Sequence, residues 1–177
     1  MIRESWTVTA SYRDDYMDNI TIRAVSDTDA QILCSIMNTD TIIDTLNELP
    51  TQLRDWAEAI KAWSTDDDEE NYIICNSGSP IGWIGINGLS SAEKAVYLKL
   101  VAILPNYHNR GIGHYAISQV IEMLRQRNYQ KIALYTDRDN HKARACYSKC
   151  GFEMTETLVG KMSNGKVVAH CKMERAI

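Results

Sequence analysis

The sequence predicts an α/β fold, with a mixed and mostly antiparallel sheet carrying helices on both faces. Two observations carry this. Runs with period-two apolar patterning alternate along the chain with runs at helical spacing. Two glycines, Gly111 and Gly113, stand between a strand-like run and the strongest helical run. The expected result is a pair of parallel strands joined through that helix, set among hairpins.

Each element follows in order. Residues 1–17 are polar and aromatic without a clear period, and read as an extra edge strand or an arm. Residues 20–24 alternate and form the first strand. Ser26 or Asp27 caps a helix over about 28–37. Asp40 or Thr41 starts a second helical segment, which Pro50 interrupts and Leu53, Trp56, Ala57, Ile60 and Trp63 continue. The run from Asp66 to Glu70 places like charges side by side and is expected as a solvated loop. Residues 72–75 and 81–86 are strands around a turn at 76–80, and 95–104 is the third strand of this meander.

After the glycines, Ile112, Ala116, Val120, Met123 and Leu124 keep helical spacing, and Ile117 and Ile121 widen the apolar face. Residues 131–136 form a strand parallel to 95–104. A short helix covers about 140–149, with Gly151 suited to its stop. Residues 152–159 and 166–174 flank Ser163-Asn164-Gly165 and close as a hairpin. The order is β-α-α-β-β-β-α-β-α-β-β, in one domain over 1–177.

A chain of 177 residues supports one such core and is short for two. The net charge of −4 and pI near 5.6 argue against broad nucleic-acid binding, which needs a basic surface. No apolar run reaches the roughly 18–20 residues of a membrane span, and the N-terminus has no apolar signal-peptide core. A cytoplasmic protein is expected. The five cysteines are odd in number and include no C-x-x-C. Cys146 and Cys150, with His141 and His170, match no standard zinc spacing, so no metal is expected and the thiols read as reduced.

Glycines at a strand-to-helix turn let backbone N–H groups face inward, and the helix start adds partial positive charge; the combination suits phosphate. Gly111-x-Gly113-x-x-Ala116 also fits a dinucleotide turn, with Asp137 about 21 residues further on. Against that, Pro105 to Arg110 separate strand from glycine, and the residues after Asp137 are too few for the remaining parallel strands.

A second motif runs from Asn140 to Phe152, in the pattern N-x-x-A-x-x-x-Y-x-K-x-G-F. With His108-Asn109-Arg110-Gly111-Ile112-Gly113 in the order and spacing of a Q/R-x-x-G-x-G/A signature, the chain resembles the GNAT superfamily of acetyl-CoA-dependent N-acetyltransferases, over roughly 18–177. The resemblance implies a three-layer fold whose two parallel central strands splay apart around acetyl-CoA. It implies that Val101, Ala102 and Ile103 face the pantetheine arm. Amides across Arg110, Gly111, Ile112, Gly113 and His114 would hold the pyrophosphate, with His108 and Asn109 in the same signature. Asn140 would bond the pantetheine or a neighbouring backbone, in the motif that also holds Ala143. Lys142 and Arg144 would reach the 3′-phosphate, and Tyr147 would lie near the thioester sulfur as general acid. Without the motif, Tyr147 reads as an ordinary packed tyrosine.

The sequence departs from the pattern in three places, one being that the strand over 95–104 carries no carboxylate. The signature opens on His108 in place of Gln or Arg, and the position five before Asn140, which carries a glutamate base in some members, is Tyr135. The base stays unassigned among Glu93, Asp137, a water relay and direct entry of an already neutral amine. Asp40, Asp44, Glu48, Asp55 and Glu58 are available to attract a cationic amine; Trp56, Trp63 and Trp83 are candidates to line a pocket, with Trp56 and Trp63 expected rather to pack the core. The expected function is direct acetyl transfer to a primary amine of a small molecule, polyamine, antibiotic or protein N-terminus. The alternative is a non-catalytic acyl-CoA-binding module on the same fold. A homodimer is open beside a monomer.

Overall fold

A computed structural model describes residues 17–162 and 164–177. The arm or strand expected over 1–17 therefore falls outside the described residues except for Met17, as does Ser163 of the last turn. The elements are β1 (Ile20–Ala24), α1 (Ala30–Met37), α2 (Asp40–Leu46), α3 (Leu53–Trp63), β2 (Glu69–Asn76), β3 (Ser79–Asn87), β4 (Ala95–Ile103), α4 (Ile112–Gln126), β5 (Lys131–Asp137), α5 (His141–Lys149), β6 (Glu153–Lys161) and β7 (Val167–Ala176). They build one seven-stranded sheet in the order β1-β2-β3-β4-β5-β7-β6. Among the described residues only the β4–β5 pair is parallel. The α/β expectation of a mixed, mostly antiparallel sheet is met.

Two apolar clusters lie on opposite faces. The buried side of α4, with Ile117, Val120, Ile121 and Leu124, packs on Ile84, Ile86, Val96, Leu98, Ile132 and Leu134. On the other face Leu33 and Ile36 of α1, Ile42 of α2, and Trp56 and Ile60 of α3 cover Ile73, Cys75, Trp83 and Ala102. Trp56, Trp63 and Trp83 form one aromatic cluster with ring centroids 5.5–6.4 Å apart. Trp56 and Trp83 are enclosed, so they build the core rather than line a pocket.

Three expectations are corrected. The second helical segment is two helices. Asn47 takes a left-handed conformation (φ 55) that ends α2 before Pro50 is reached, so three helices lie between β1 and β2. The first helix is capped at Asp29 rather than Ser26 or Asp27. Asp29 takes both arms of the Arg23 guanidinium at 2.7 and 2.8 Å, and the backbone N–H and hydroxyl of Ser26 donate to the same carboxylate. The acidic run is a solvated loop only at Asp66 and Asp67. Glu69 and Glu70 enter β2 and pair with Lys99 and Arg127, while Asp68 accepts from the Gly88 and Ser90 amides. Partners remote in sequence neutralise charges that repel as neighbours.

The hairpin between β2 and β3 turns on Ser77 (φ 48) and Gly78 (φ 80). Positive φ at both positions matches the twist of the strands it joins.

The Arg23–Asp29 pair ties β1 to the start of α1. It holds the Asp29 carboxyl down from 3.8 to about 2, through the Arg23 hydrogen bonds against the opposing cost of burial. Because folding depresses this pKa, the stability it supplies is complete above about pH 4 and is lost as pH falls through about 2. The shift is worth about 2 kcal/mol at most, since Arg23 is part exposed and water screens the pair. Asp29→Asn is therefore expected to lower stability at neutral pH and to flatten the acid limb between pH 4 and 2 in urea titrations. An unchanged limb contradicts this assignment.

Candidate active site

β4 is nine residues long, yet it pairs with β5 only at Ala95–Lys131, Val96–Ile132 and Tyr97–Ala133. From Leu98 onward the two strands have no ladder between them. On its other edge β4 stays paired with β3 up to Ile103, opposite Gly82. The cause is local. Between Leu98, opposite Ile86, and Leu100, opposite Gly85, Lys99 is an extra residue. An extra residue bends a strand and flips every later side chain to the other face. Burial records the flip: Val96 and Leu98 face α4, whereas Leu100 and Ala102 face α1–α3. Val101 and Ile103 consequently turn toward the α4 side. Gly82 lets β3 follow the bent strand, since a β-carbon there would stand 2.5 Å from the Ala102 carbonyl oxygen.

The bend opens a fork whose mouth meets the start of α4. Gly111 is the N-cap residue, in the left-handed region at φ 84, and Asn109 is there too at φ 61. The first intrahelical bond runs from the Tyr115 N–H to the Gly111 carbonyl at 3.0 Å. The Ile112, Gly113 and His114 amides thus have no partner within the helix, and no side chain caps them. The β-carbon position of Gly113 points inward, 3.4 Å from Cys146 Sγ and 3.6 Å from Ile103 Cδ1. The first turn of α4 therefore lies beside both β4 and α5.

The other signature residues are placed as follows. The His108 ring Nε2 lies 2.6 Å from the Ile103 carbonyl oxygen, so that nitrogen carries the hydrogen and donates. This ties the loop to the free end of β4. The Arg110 guanidinium lies over the Tyr107 ring at 5.6 Å. Asn140 caps α5, its Oδ1 accepting from the Ala143 N–H at 3.1 Å. Of the two partners anticipated for Asn140, the backbone one is present. Arg144 donates through Nη1 to the Arg138 carbonyl at 2.9 Å, and its Nε is buried without a partner.

The far end of α5 explains why the second motif has its form. Gly151 is left-handed at φ 79. The Phe152 N–H reaches the Tyr147 carbonyl and the Gly151 N–H reaches the Ser148 carbonyl, which is a Schellman stop. That stop carries an apolar contact between the residues it joins, here Phe152 edge-on to Tyr147 with centroids 6.1 Å apart. So Tyr147, Gly151 and Phe152 are one mechanical unit that fixes the tyrosine ring. Burial, with the neighbouring sulfurs of Cys146 and Cys150, raises the Tyr147 phenol well above its ordinary value. It stays protonated at any working pH.

Of the base candidates, Asp137 ends β5 on the fork side and accepts from the Asp139 N–H. Glu93 precedes the paired, closed end of β4 and is not brought to the mouth. Two features carried no sequence signal. Tyr97 and Tyr135 stack across the point where the strands part, with centroids 6.1 Å apart and planes within 6°. Lys99, at the bulge, is clamped by both oxygens of Glu69 at 2.7 and 2.9 Å. Each pair joins residues far apart in the chain, and only strand register brings them together. Among the described residues no group of three or more His, Cys, Asp or Glu is arranged to hold a metal.

Residues 33–152 match the acetyltransferase (GNAT) family. The chain is 29% identical over 110 residues to an uncharacterized N-acetyltransferase of Methanocaldococcus jannaschii, covering 59% of this chain and 49% of that protein. It is 23% identical over 97 residues to a mycothiol acetyltransferase of Beutenbergia cavernae, covering 55% of this chain and 30% of that one. The chain thus spans half or less of the length of these curated relatives. Its fold is similar to that of spermidine N-acetyltransferase from Vibrio cholerae in complex with CoA and spermine, with a TM-score of 0.80 at 20% identity, over 90% of this chain and 96% of that one.

The Asn140 cap is testable alone. Asn140→Ala is expected to cost about 1 kcal/mol in urea unfolding, with Asn140→Asp retaining most of it, because Asp caps equally well. Equal stability of the alanine variant contradicts a cap that anchors α5.

Proposed function

The chain belongs to the acetyltransferase (GNAT) family, and from that premise we propose that it moves an acetyl group from acetyl-CoA to a primary amine by direct attack. The observation that carries this reading is the meeting of the β4–β5 fork with the uncapped first turn of α4. A strand edge without a ladder offers amides and carbonyls to the pantetheine arm, and a helix start offers amides and partial positive charge to a diphosphate. In this reading Val101, Ala102 and Ile103 take the arm. His108 to His114 form the diphosphate turn, with Gly111 supplying its left-handed corner. Asn140 and Ala143 set the start of α5, and Arg144 and Lys142 serve the 3′-phosphate. In this reading the chain is one domain; that β1 and β7, outside the matched segment, pair into the same sheet supports it.

The chemistry asks three things of these residues. The attacking amine must be neutral, so its proton leaves first, to Asp137, to water, or before entry. The carbonyl oxygen gains negative charge, and a backbone N–H on the free edge of β4 within 101–103 is the donor that steadies it. The departing thiolate needs a hydrogen bond, and Tyr147 supplies it. A phenol held above its usual value of ~10 is a weaker acid than a thiol near ~8.5, so full proton transfer to the sulfur runs uphill. Tyr147 therefore acts by donating a hydrogen bond as charge builds on sulfur.

The acceptor is a cationic primary amine, with polyamines the first class to test. Asp40 and Asp44 on α2 and Glu58 on α3 are exposed carboxylates on the helices that cover the other face of the sheet. The similar fold in complex with spermine supports starting there. Release of CoA measured against a panel of amines tests the reading. Turnover on at least one amine is expected, while tight coenzyme binding with no turnover on any amine favours the non-catalytic acyl-CoA-binding module. In the same assay Tyr147→Phe is expected to lower kcat by roughly 10²-fold with coenzyme affinity nearly intact. An unchanged kcat, with chemistry rate-limiting, returns Tyr147 to a packing role.

A further inference from the structure

Two tyrosines stand at the apex of the fork, and the proposed transfer uses neither. Tyr97 is the last residue of β4 with a partner on β5. Its neighbours Val96 and Leu98 face α4, so its own side chain stands on the opposite face of the sheet. Tyr135 lies on that same face, next to Leu134, which packs on the α4 side. The two rings stack where the strands part, with centroids 6.1 Å apart and planes within 6°. Among the described residues they belong to neither apolar cluster, and they are 38% and 48% exposed. On this face α1–α3 cover β2, β3 and the far end of β4, and leave the pair open. The charges beside it are already matched. Lys172, opposite Tyr135 on β7, holds Glu174 at 2.8 Å, and Lys131 holds the same carboxylate at 3.3 Å. Lys99, two residues beyond Tyr97, is clamped by Glu69. Glu156 on β6 stands opposite Lys172, one strand further out. What the apex offers a ligand is therefore aromatic surface.

We propose that Tyr97 and Tyr135 form the floor of the acceptor site and select an amine carried on an aromatic body, an arylalkylamine, over a linear aliphatic one. This rests on the proposed acetyl transfer and narrows its acceptor. The diphosphate turn belongs to α4, on one face of the sheet. The coenzyme arm then enters the fork from that side, and the amine meets the acetyl carbon from the other, where the rings lie. Aromatic rings attract one another in offset or edge-on arrangements with centroids roughly 4.5–7 Å apart, and a third ring gains this from the pair. A linear polyamine gains no stacking and brings further ammonium groups beside Lys131 and Lys172. The transfer is balanced as before: the amine nitrogen bonds the acetyl carbon, the carbon–sulfur bond breaks, and the proton lost from nitrogen leaves with the sulfur as CoA thiol.

Release of CoA from acetyl-CoA is measured with 2-phenylethylamine, n-butylamine and spermidine as acceptors. The expected result is a kcat/KM for 2-phenylethylamine about tenfold above that for either aliphatic amine. Tyr97→Ala and Tyr135→Ala each bring that ratio down toward one by raising KM for 2-phenylethylamine, with CoA affinity in calorimetry as in the parent. Tyr135→Phe, which keeps the ring and drops the hydroxyl, recovers the ratio lost in Tyr135→Ala. Equal kcat/KM for the three amines, a preference for spermidine, or a preference that survives both alanine variants overturns the proposal and leaves acetyl transfer standing. CoA bound without turnover on any amine overturns the transfer reading itself, and the acceptor floor with it.

Discussion

β4 must satisfy two neighbours that it cannot follow together. β3 holds it by an antiparallel ladder from Tyr97 to Ile103, while β5 keeps it only from Ala95 through Tyr97. The extra residue Lys99 resolves the conflict in favour of β3, and the clamp from Glu69 holds that residue in place. Everything distinctive about the site follows from this bend. It leaves a strand edge inside the sheet without a partner, a situation proteins otherwise confine to sheet margins and protect. It also swaps the faces of the strand, so that one β4 feeds both cores: Leu98 to the α4 side and Ala102 to the α1–α3 side.

The open edge needs helices that hold still around it. α4 is buried along one side against the sheet, so its first turn is fixed even though its amides are uncapped. α5 has no fully buried residue, and its position depends on its ends instead. The Asn140 cap fixes one end and the Gly151–Phe152 stop fixes the other. Tyr147 sits within that second device, which couples helix termination directly to the placement of the proposed hydrogen-bond donor. Gly113 and Cys146 face each other where the two helices meet.

Much of this was legible in the sequence, for physical reasons that differ by element. The α4 stripe and the alternation in β1 are local periodicities, and local periodicities survive without a structure. Gly111, Gly151 and Asn140 announce themselves because few residues tolerate or perform what those positions require. What the sequence hid was long-range. Lys99 reads as one charge inside a strand, and the flip behind it leaves no trace because the residues from Leu100 to Leu104 are all apolar. The acidic run read as solvated because its partners, Lys99 and Arg127, lie far along the chain. The break between α2 and α3 was expected at Pro50 and came earlier, at Asn47, whose left-handed conformation is a choice open to few residues besides glycine. The inward direction of Gly113 was hidden for the same reason as Lys99: the sulfur it faces belongs to another helix.

The central claim is that the unpaired edge of β4 and the uncapped start of α4 together receive the coenzyme. Amide hydrogen exchange with and without CoA, resolved to single residues, tests it most directly. The account predicts slowed exchange at Ile112, Gly113 and His114 and along 101–103, with β1 and β2 unchanged. Saturating CoA that protects another surface and leaves those amides exchanging as before would contradict it.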